Sequence, residues 1–315
     1  MPKVSVILPT YNRARFLEEA IQSVLTQDFQ DYEIIVLDDG SNDNTKEIIK
    51  SFKSKKIRYF FQNNKGRSRA RNRAMELAQG QYLAFLDSDD VFLPGKLTKQ
   101  VKCLDEHPEV GMVYASALTM DENGRKLNKK YRATSSGFIY KEVAFVFPLT
   151  VILPAAMVRR EVFDKVGKFD VKMDRFEDSD MWRRITQKYL VLAVREPLCQ
   201  IRHHRGNLME RPSKLLRALD NYVSKVFRED SQLSWFYKQK AASNLYRQYY
   251  QAVRNSQQWR RMSFPFYLRA VVYWPPLPIT QLISQIILYG YQLFVVLFPG
   301  PRTRKRIKNL FKINI

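Results

Sequence analysis

The sequence has few cysteines and no recognisable export signal. Its 315 residues include two cysteines, Cys103 and Cys199, which are too few for a disulfide framework. The amino terminus runs almost directly into the apolar segment 4–8, which is too short for the core of a signal peptide. We therefore expect a protein of a reducing compartment. Its length allows one large α/β domain with an appendage.

Two common nucleotide-binding signatures are also missing. No Gly-x-Gly-x-x-Gly follows any predicted strand, and the sequence has no glycine-rich phosphate loop. Acidic and polar residues stand at the predicted strand ends instead. An NAD-dependent enzyme and a phosphate-loop nucleotidase are therefore disfavoured.

Acidic residues are absent from the carboxy-terminal part of the sequence. After Asp230 there is no Asp or Glu, whereas 13 Lys and Arg remain in those 85 residues. The whole chain has 53 Lys and Arg against 31 Asp and Glu, which gives a net charge of +22. A basic tail of this kind predicts an anionic partner, either a nucleic acid or a membrane surface.

Hydrophobic periodicity predicts alternating strands and helices in the amino-terminal part of the chain. Strands are predicted at 4–8, 33–37, 57–61, 82–86 and 110–115. Helices are predicted at 13–27, 44–50 and 66–78, the last closed by Gly80 as its C-cap. This alternation predicts an α/β fold with a Rossmann-like, mostly parallel sheet flanked by helices.

Three carboxylates follow the predicted strand 82–86. Asp87, Ser88, Asp89 and Asp90 stand directly after its apolar residues. Carboxylates at the mouth of a buried strand are costly unless a positive charge is shared between them, and a divalent cation with oxygen ligands meets that need. The alternative is a solvated strand-to-helix loop in which an Asp caps the next helix.

Five motifs occur in an order and at separations typical of one family. They are Pro-Thr-Tyr-Asn at 9–12, Val-Leu-Asp-Asp-Gly-Ser at 36–41, Ala-Arg-Asn at 70–72, Phe-Leu-Asp-Ser-Asp-Asp at 85–90, and Arg-Phe-Glu-Asp-Ser-Asp-Met-Trp-Arg at 175–183. Together they resemble the family 2 glycosyltransferases, which have the GT-A fold. The resemblance covers residues 3–210, and it implies a transferase that uses a nucleotide-sugar donor.

The resemblance also implies a donor site. Asp39 would accept the N3–H of a uracil-like base, because an ionised carboxylate only accepts hydrogen bonds. Asp38 would steady that loop, and Asp87 would act through water or the sugar. Arg71 would lie near the base or the diphosphate, although a solvated helix arginine is the alternative. The other residues implied for nucleotide-sugar binding are Pro9, Thr10, Tyr11, Asn12, Ser88, Arg202 and His204.

The same resemblance implies the catalytic groups. Asp89 matches the second Asp of an Asp-x-Asp motif and would bind Mg²⁺ or Mn²⁺ that bridges the diphosphate. Asp178, beside Glu177, would be the general base of an inverting transfer. The alternative is that both acids merely complement the dipole of the helix that they open. Arg202 and His204 would close over the diphosphate, with a surface loop as the alternative.

The chain also departs from part of this family. The Gln-x-x-Arg-Trp motif of processive synthases is absent, and no set of long transmembrane helices is predicted. We therefore expect the transfer of one sugar per encounter. The donor is expected to be a UDP-sugar, and the acceptor a lipid-linked or cell-surface glycan precursor. A turn at 121–124 predicts a hairpin that faces this acceptor.

The carboxy terminus predicts membrane docking. Residues 270–301 carry no charge over 32 positions, and a cluster of Arg and Lys follows at 302–308. We expect a GT-A catalytic domain at 1–212, a helical extension at 213–269 and a membrane-docking segment at 270–315. The enzyme would then lie on the cytoplasmic face of the cell membrane as a peripheral or monotopic protein. A helix packed on the catalytic domain or on a second subunit is the alternative, and whether the segment spans the bilayer stays open.

Two other functions compete with transfer. A basic, tyrosine-rich tail is compatible with nucleic-acid binding. The uncharged block at 270–301 does not fit that function, so we expect no nucleic-acid partner. A GT-A-like domain that only binds is the other alternative, and the presence of Asp39, Asp89 and Asp178 argues against it.

Overall fold

The computed structural model describes residues 1–145, 150–204, 212–256 and 258–273. The chain forms two compact units, one from Met1 to Ser234 and a second that begins at Trp235. The first unit contains the sheet and every predicted site residue, and the second is described only as far as residue 273. The predicted membrane-docking segment therefore lies outside the described residues from 274 onward.

The first half of the sheet is parallel. Its strands are β1 (Val4–Thr10), β2 (Tyr32–Asp38), β3 (Ile57–Phe61) and β4 (Tyr82–Phe85), in the order β3-β2-β1-β4. The connecting helices are α1 (Ala14–Leu25), α2 (Thr45–Ser51) and α3 (Arg67–Leu77). Thr10 lies opposite Asp38 in the register of β1 and β2. The carboxyl ends of these strands, with their polar residues, therefore meet at one edge of the sheet.

The second half of the sheet is mixed. It contains β5 (Val91–Phe92), β6 (Val110–Asp121), β7 (Lys126–Tyr131), β8 (Ala156–Arg159) and β9 (Leu190–His203). Strand β8 runs antiparallel to both β4 and β6, whereas β6 and β9 are parallel. The prediction of a mostly parallel sheet is thus wrong beyond β4. Apolar periodicity identifies a strand but not its direction, and β8 directly follows a single 3₁₀ turn at Leu153–Ala155.

The end of α3 differs from its predicted form. The helix ends at Leu77, and Ala78 follows in an extended conformation, so Gly80 is not the C-cap. Gly80 is required for another reason. A Cβ at this position would lie 2.4 Å from the backbone nitrogen of Ser5, so only glycine allows the chain to pass this close to β1.

The remaining helices of the first unit are α4 (Lys96–Glu106), α5 (Tyr140–Val143), α6 (Val162–Val166), α7 (Glu177–Thr186) and α8 (Pro212–Glu229). Two apolar clusters cover the sheet, one around Ile7 and Phe85 and the other around Val6 and Leu8. Alternate residues of β1 therefore face opposite layers, as expected for a strand buried on both faces.

One aromatic contact places α7 beside the end of β4. The ring of Phe85 meets that of Trp182 at 6.0 Å, edge to face, and it also meets Phe163 and Phe169. Phe85 is the last residue of β4, two positions before Asp87. The acidic first turn of α7 is consequently brought next to the acidic loop that follows β4.

Helix α8 is joined to α7 by buried charges. Lys225 Nζ lies 3.1 Å from Asp180 and 2.5 Å from Asp170, while Arg183 bonds to both Asp180 and Glu229. Removing one partner of such a network leaves an uncompensated buried charge, which typically costs about 3–5 kcal/mol. Helix α8 thus fixes the orientation of α7.

The second unit contains α9 (Trp235–Asn255) and α10 (Phe264–Tyr273). The two helices meet through stacked rings of Tyr246 and Tyr273, 5.6 Å apart, and through a hydrogen bond from Ser243 to the Ala270 carbonyl. Within the part of the chain that the structure describes, no helix is both long and apolar enough to cross a bilayer.

Candidate active site

A cleft of about 590 Å³ opens at the carboxyl ends of β1, β2 and β4. In open α/β sheets this edge is where ligands bind, because loops from several strands converge there. Nine of the predicted site residues line the cleft: Pro9, Thr10, Tyr11, Asp39, Arg71, Asp87, Ser88, Asp89 and Asp178. The other five, Asn12, Asp38, Glu177, Arg202 and His204, are not part of its lining. Of these, Glu177, Arg202 and His204 form hydrogen bonds with residues that are.

Arg71 is the buried cation at the centre of this site. Its Nη1 lies 2.6 Å from Glu177 Oε1 at the start of α7, and its Nη2 lies 2.7 Å from Asp87 Oδ1 after β4. Burial lowers the pKa of Arg71, but the charges of Asp87 and Glu177 outweigh that effect and raise it above its ordinary value. The guanidinium therefore joins the two acidic loops, and Arg71 is not the solvated helix residue of the alternative interpretation.

Asp178 has a raised pKa that suits proton transfer near neutrality. Burial and then the neighbouring charge of Glu177 raise its pKa to about 6, although Arg71 opposes them. Its Oδ1 accepts hydrogen bonds from the Ser179 backbone nitrogen at 2.7 Å and the Ser179 hydroxyl at 3.3 Å. A general base works best when its pKa lies close to the operating pH, and Asp178 meets this condition at the wall of the cleft.

Two adjacent carboxylates organise the loops that follow β2 and β3. Asp38 accepts hydrogen bonds from the Ser41 backbone nitrogen and the Tyr59 hydroxyl. Asp39 accepts from the backbone nitrogens of Lys65 and Gly66, both at 2.9 Å, and from the Gln62 side chain at 2.7 Å. Asp39 thereby holds the chain that leads into α3 against the floor of the cleft.

The loop after β1 presents both exposed and buried groups to the cleft. Tyr11 is about half exposed, whereas the Thr10 hydroxyl is buried and has no hydrogen-bond partner among the described residues. Asn12 adopts a left-handed conformation with φ 50° and bonds to the loop after β2 through Ser41 and Asn42. An unpaired buried hydroxyl in a cleft wall is a natural contact for a ligand.

Asp89 and His204 lie together at another side of the cleft. His204 Nε2 is 2.9 Å from Asp89 Oδ2, and the imidazole ring packs on Phe16 of α1 at a centroid distance of 5.0 Å. Burial, and then the charges of Asp89 and Asp87, raise the pKa of the Asp90 carboxyl well above its ordinary value. Crowding of the three carboxyl groups in this loop thus disfavours ionisation of Asp90.

Arg202 is hydrogen-bonded to the loop that contains Asp89 and Asp90. Its Nε donates to the Asp89 carbonyl at 2.9 Å, and its backbone nitrogen donates to Asp90 Oδ1 at 2.8 Å. The same guanidinium also forms an ion pair with Glu19 of α1 and is almost fully buried. Arg202 is thus tied to the backbone of the acidic loop.

The residues described contain no ready-made metal cage. No three side chains of His, Cys, Asp or Glu converge among residues 1–145, 150–204, 212–256 and 258–273. The arrangement nevertheless fits a hard divalent cation, which is often bound by one or two carboxylates and completed by substrate phosphates and water. Asp89 is the carboxylate in position for this, with His204 at its side.

Several residues of the site were not predicted from the sequence. Arg13, Arg67 and the segment Ile152, Leu153 and Pro154 also line the cleft, and Glu19 supports it through Arg202. Asp90 belongs to the acidic run and could have been included. Glu19 is an exposed helix residue whose partner is 183 positions away, and no local pattern indicates it.

Comparison with known proteins identifies the family. The model of the family described as glycosyl transferase family 2 matches residues 5–167, which is more than half of the chain and includes β1 to β8. The chain belongs to glycosyl transferase family 2. The resemblance that the five sequence motifs indicated is thereby confirmed.

Curated relatives agree with this assignment. An uncharacterised glycosyltransferase of Methanocaldococcus jannaschii is 34% identical over 68% of this chain and 75% of its own length. Another from Rickettsia bellii is 33% identical over 71% of this chain, but the match covers only 32% of that longer protein. This family 2 chain thus corresponds to about a third of some of its relatives.

Solved structures show the fold. Staphylococcus aureus TarS (residues 1–349) in complex with UDP aligns with a TM-score of 0.63 at 18% identity, covering 85% of this chain and 81% of that one. The mannosyltransferase PcManGT from Pyrobaculum calidifontis, in complex with GDP-Man and Mn²⁺, aligns at 0.58 and 19% identity, covering 99% and 88%. The family 2 chain therefore has the mixed α/β fold of the GT-A glycosyltransferases.

Proposed function

We propose that this glycosyltransferase moves a single sugar from a nucleotide-sugar donor to an acceptor hydroxyl, with inversion at the anomeric carbon and with a divalent cation. The observation that carries the proposal is the position of Asp178, whose carboxyl group lines the same cleft as Asp89 and has a pKa of about 6. One carboxylate is thus matched to take a proton, while the other lies where a cation and a diphosphate would be held.

The donor would occupy the side of the cleft formed by β1 and β2. The buried Thr10 hydroxyl, the exposed Tyr11 ring and the Asp39 carboxylate provide a donor, a stacking surface and an acceptor for a nucleotide base and ribose. TarS is described in complexes with UDP and UDP-GlcNAc, and PcManGT with GDP-Man. These complexes support a nucleoside diphosphate sugar, and we favour a UDP-sugar.

Asp178 would act on the acceptor. In the transfer step its carboxylate takes the proton from the acceptor hydroxyl while that oxygen forms a bond to the anomeric carbon. The bond from the anomeric carbon to the diphosphate oxygen breaks at the same time, and the nucleoside diphosphate departs with its electron pair. Attack from the side opposite the leaving group inverts the anomeric configuration. Such base catalysis typically contributes about 10²–10⁴-fold.

Asp89, with His204 beside it, would hold the divalent cation. When bound, Mg²⁺ or Mn²⁺ supplies Lewis-acid stabilisation of the departing diphosphate. Arg202 keeps the backbone of Asp89 in place, and Arg71 separates Asp87 from Glu177 and balances their charge. These contacts orient the acidic loop before any ligand arrives.

We also propose that residues 270–315 attach the enzyme to the cytoplasmic face of the cell membrane, where a lipid-linked acceptor is available. The support for this is the uncharged stretch 270–301 followed by the basic cluster at 302–308. Buried apolar area resists a high-salt wash, whereas electrostatic attachment alone does not. Full-length protein is therefore expected in the membrane fraction until detergent releases it.

A panel of nucleotide-sugars tests the proposed reaction. Purified protein is incubated with UDP- and GDP-linked sugars, with Mg²⁺ or Mn²⁺, and release of the nucleoside diphosphate is measured. We expect slow, cation-dependent hydrolysis of one donor, which accelerates when a lipid-linked acceptor is added, and a product of inverted configuration. Release that is equally fast in excess chelator, or a product of retained configuration, would contradict the proposal.

A further inference from the structure

We infer that the β6–β7 hairpin is a docking surface for an anionic lipid bilayer. The segment 125–132 carries five positive charges in eight residues and no negative one: Arg125, Lys126, Lys129, Lys130 and Arg132. Five of the six residues of β7 are exposed, on both faces of the strand. The positive charges therefore lie along an exposed strand and not in an enclosed pocket.

These cations lack the ion pairs that balance other lysines of the first unit. Lys99 pairs with Glu196, Lys168 with Glu76 and Lys3 with Asp105. None of the five cations of segment 125–132 lies within ion-pair distance of a carboxylate among the described residues. An unpaired cluster of this kind is attracted to an extended anionic surface.

The hairpin also carries the apolar groups that suit the headgroup region of a bilayer. Leu127 is exposed between the cations, and the Lys129 ammonium lies 4.8 Å from the centre of the Tyr131 ring. Lysines can also protect an edge strand from pairing with another chain. Strand β7 already has a bulge opposite Leu118 and Thr119, and bulges serve that purpose as well.

The hairpin is held rigidly and connected to the acidic loop of the cleft. Asp121 Oδ1 accepts hydrogen bonds from the backbone nitrogens of Asn123 and Arg125, both at 2.9 Å. Arg202 Nη1 reaches the carbonyls of Asp121 and Glu122 at 3.5 and 3.4 Å, and its Nε bonds to the Asp89 carbonyl. Docking of this strand would therefore bring the cleft close to the lipid surface.

The inference rests on the charge and exposure of the hairpin, and not on the proposed transfer or on residues 270–315. Vesicle binding tests it directly on the full-length protein. The test variant is Lys126→Gln/Lys129→Gln/Lys130→Gln. A matched control, Lys50→Gln/Lys53→Gln/Lys55→Gln, removes the same charge from three exposed lysines elsewhere in the first unit. Circular dichroism and thermal melting verify that both variants are folded.

Binding is measured by co-sedimentation with vesicles that contain phosphatidylglycerol and phosphatidylcholine, and with vesicles of phosphatidylcholine alone, at low ionic strength. We expect the hairpin variant to bind anionic vesicles at least roughly tenfold more weakly than the control variant does. The difference between the two variants should disappear at high salt and on phosphatidylcholine.

Three results would overturn the inference. Equal affinities of the two variants would mean that only net charge matters. A loss of heparin binding with vesicle binding unchanged would assign the hairpin to a soluble polyanion. Self-association of the hairpin variant without a loss of vesicle affinity, seen by light scattering, would show that the lysines only protect the strand edge.

Discussion

Removal of the positive charge of Arg71 is expected to lower the free energy of unfolding and to move the acid limb of the pH–rate profile to higher pH. In the wild-type protein the Arg71 guanidinium lies 2.7 Å from Asp87 and 2.6 Å from Glu177. Arg71→Gln retains a polar side chain but leaves both carboxylates without this buried cation. The side chains of Arg71 and Glu177 are only 6% and 5% exposed, so water does not replace that pair. Asp87 is 32% exposed and is partly screened.

The magnitude follows from this difference in exposure. Breaking a buried ion pair by removing one partner typically costs about 3–5 kcal/mol. Of the two ion pairs of Arg71, only the one with Glu177 is buried on both sides. We therefore expect a loss of about 3 kcal/mol in the free energy of unfolding near neutral pH. Arg71 opposes the increase in the pKa of the neighbouring Asp178 carboxyl, so without Arg71 that pKa rises further. The loss should therefore shrink at lower pH, where Asp178 takes up a proton.

Urea denaturation at about pH 5 and about pH 7 measures this effect. Arg69→Gln is the matched control, since Arg69 is exposed in the same helix and, among the described residues, bonds only to the Lys65 carbonyl. The charge of Arg71 also lowers the pKa of Asp178, so the acid limb of activity should move to higher pH in Arg71→Gln. A variant that unfolds like the control, with an unmoved acid limb, would refute this reasoning.

Three further outcomes are expected. Chelation of the divalent cation should abolish transfer, and Asp89→Ala should abolish it equally while leaving the circular dichroism spectrum unchanged. Full activity in excess chelator would contradict this. Arg202→Gln should raise the cation concentration needed for half-maximal rate roughly tenfold, since it frees the Asp89 backbone; an unchanged cation dependence would argue against that positioning role. Truncation before Ala270 should release the protein from the membrane fraction in a high-salt wash without detergent, and retention there would exclude residues 270–315 as the sole anchor.

The parallel half of the fold was predictable because its signals are local. Each strand from β1 to β4 is an apolar run that ends in polar residues, and β1, β2 and β3 are each followed by a segment of helical periodicity. The cleft follows directly from this, because parallel strands place such ends at one edge. The positions of Thr10, Asp39, Asp87 and Asp89 at that edge required only the correct strands.

The remainder depends on contacts between distant parts of the chain. Arg71 and Glu177 are 106 residues apart, and neither sequence motif indicates that they form an ion pair. The antiparallel insertion of β8 and the close approach of Gly80 to Ser5 are likewise products of packing. The hydrogen bond from Arg202 to the Asp89 carbonyl also joins distant parts of the chain, while the predicted contact of Arg202 with a diphosphate stays a prediction.

Asp178→Asn, assayed for turnover and for nucleotide binding, tests the central claim most directly. Asparagine keeps the shape of the side chain and its contact with Ser179 but cannot take a proton from the acceptor. We expect kcat to fall by about 10²–10⁴-fold, with the dissociation constant of the nucleoside diphosphate within a few-fold of wild type. Wild-type turnover should itself decline as the pH falls through about 6, where the carboxylate is lost. A variant that binds nucleotide poorly and retains its turnover would contradict the assignment of Asp178 as the base.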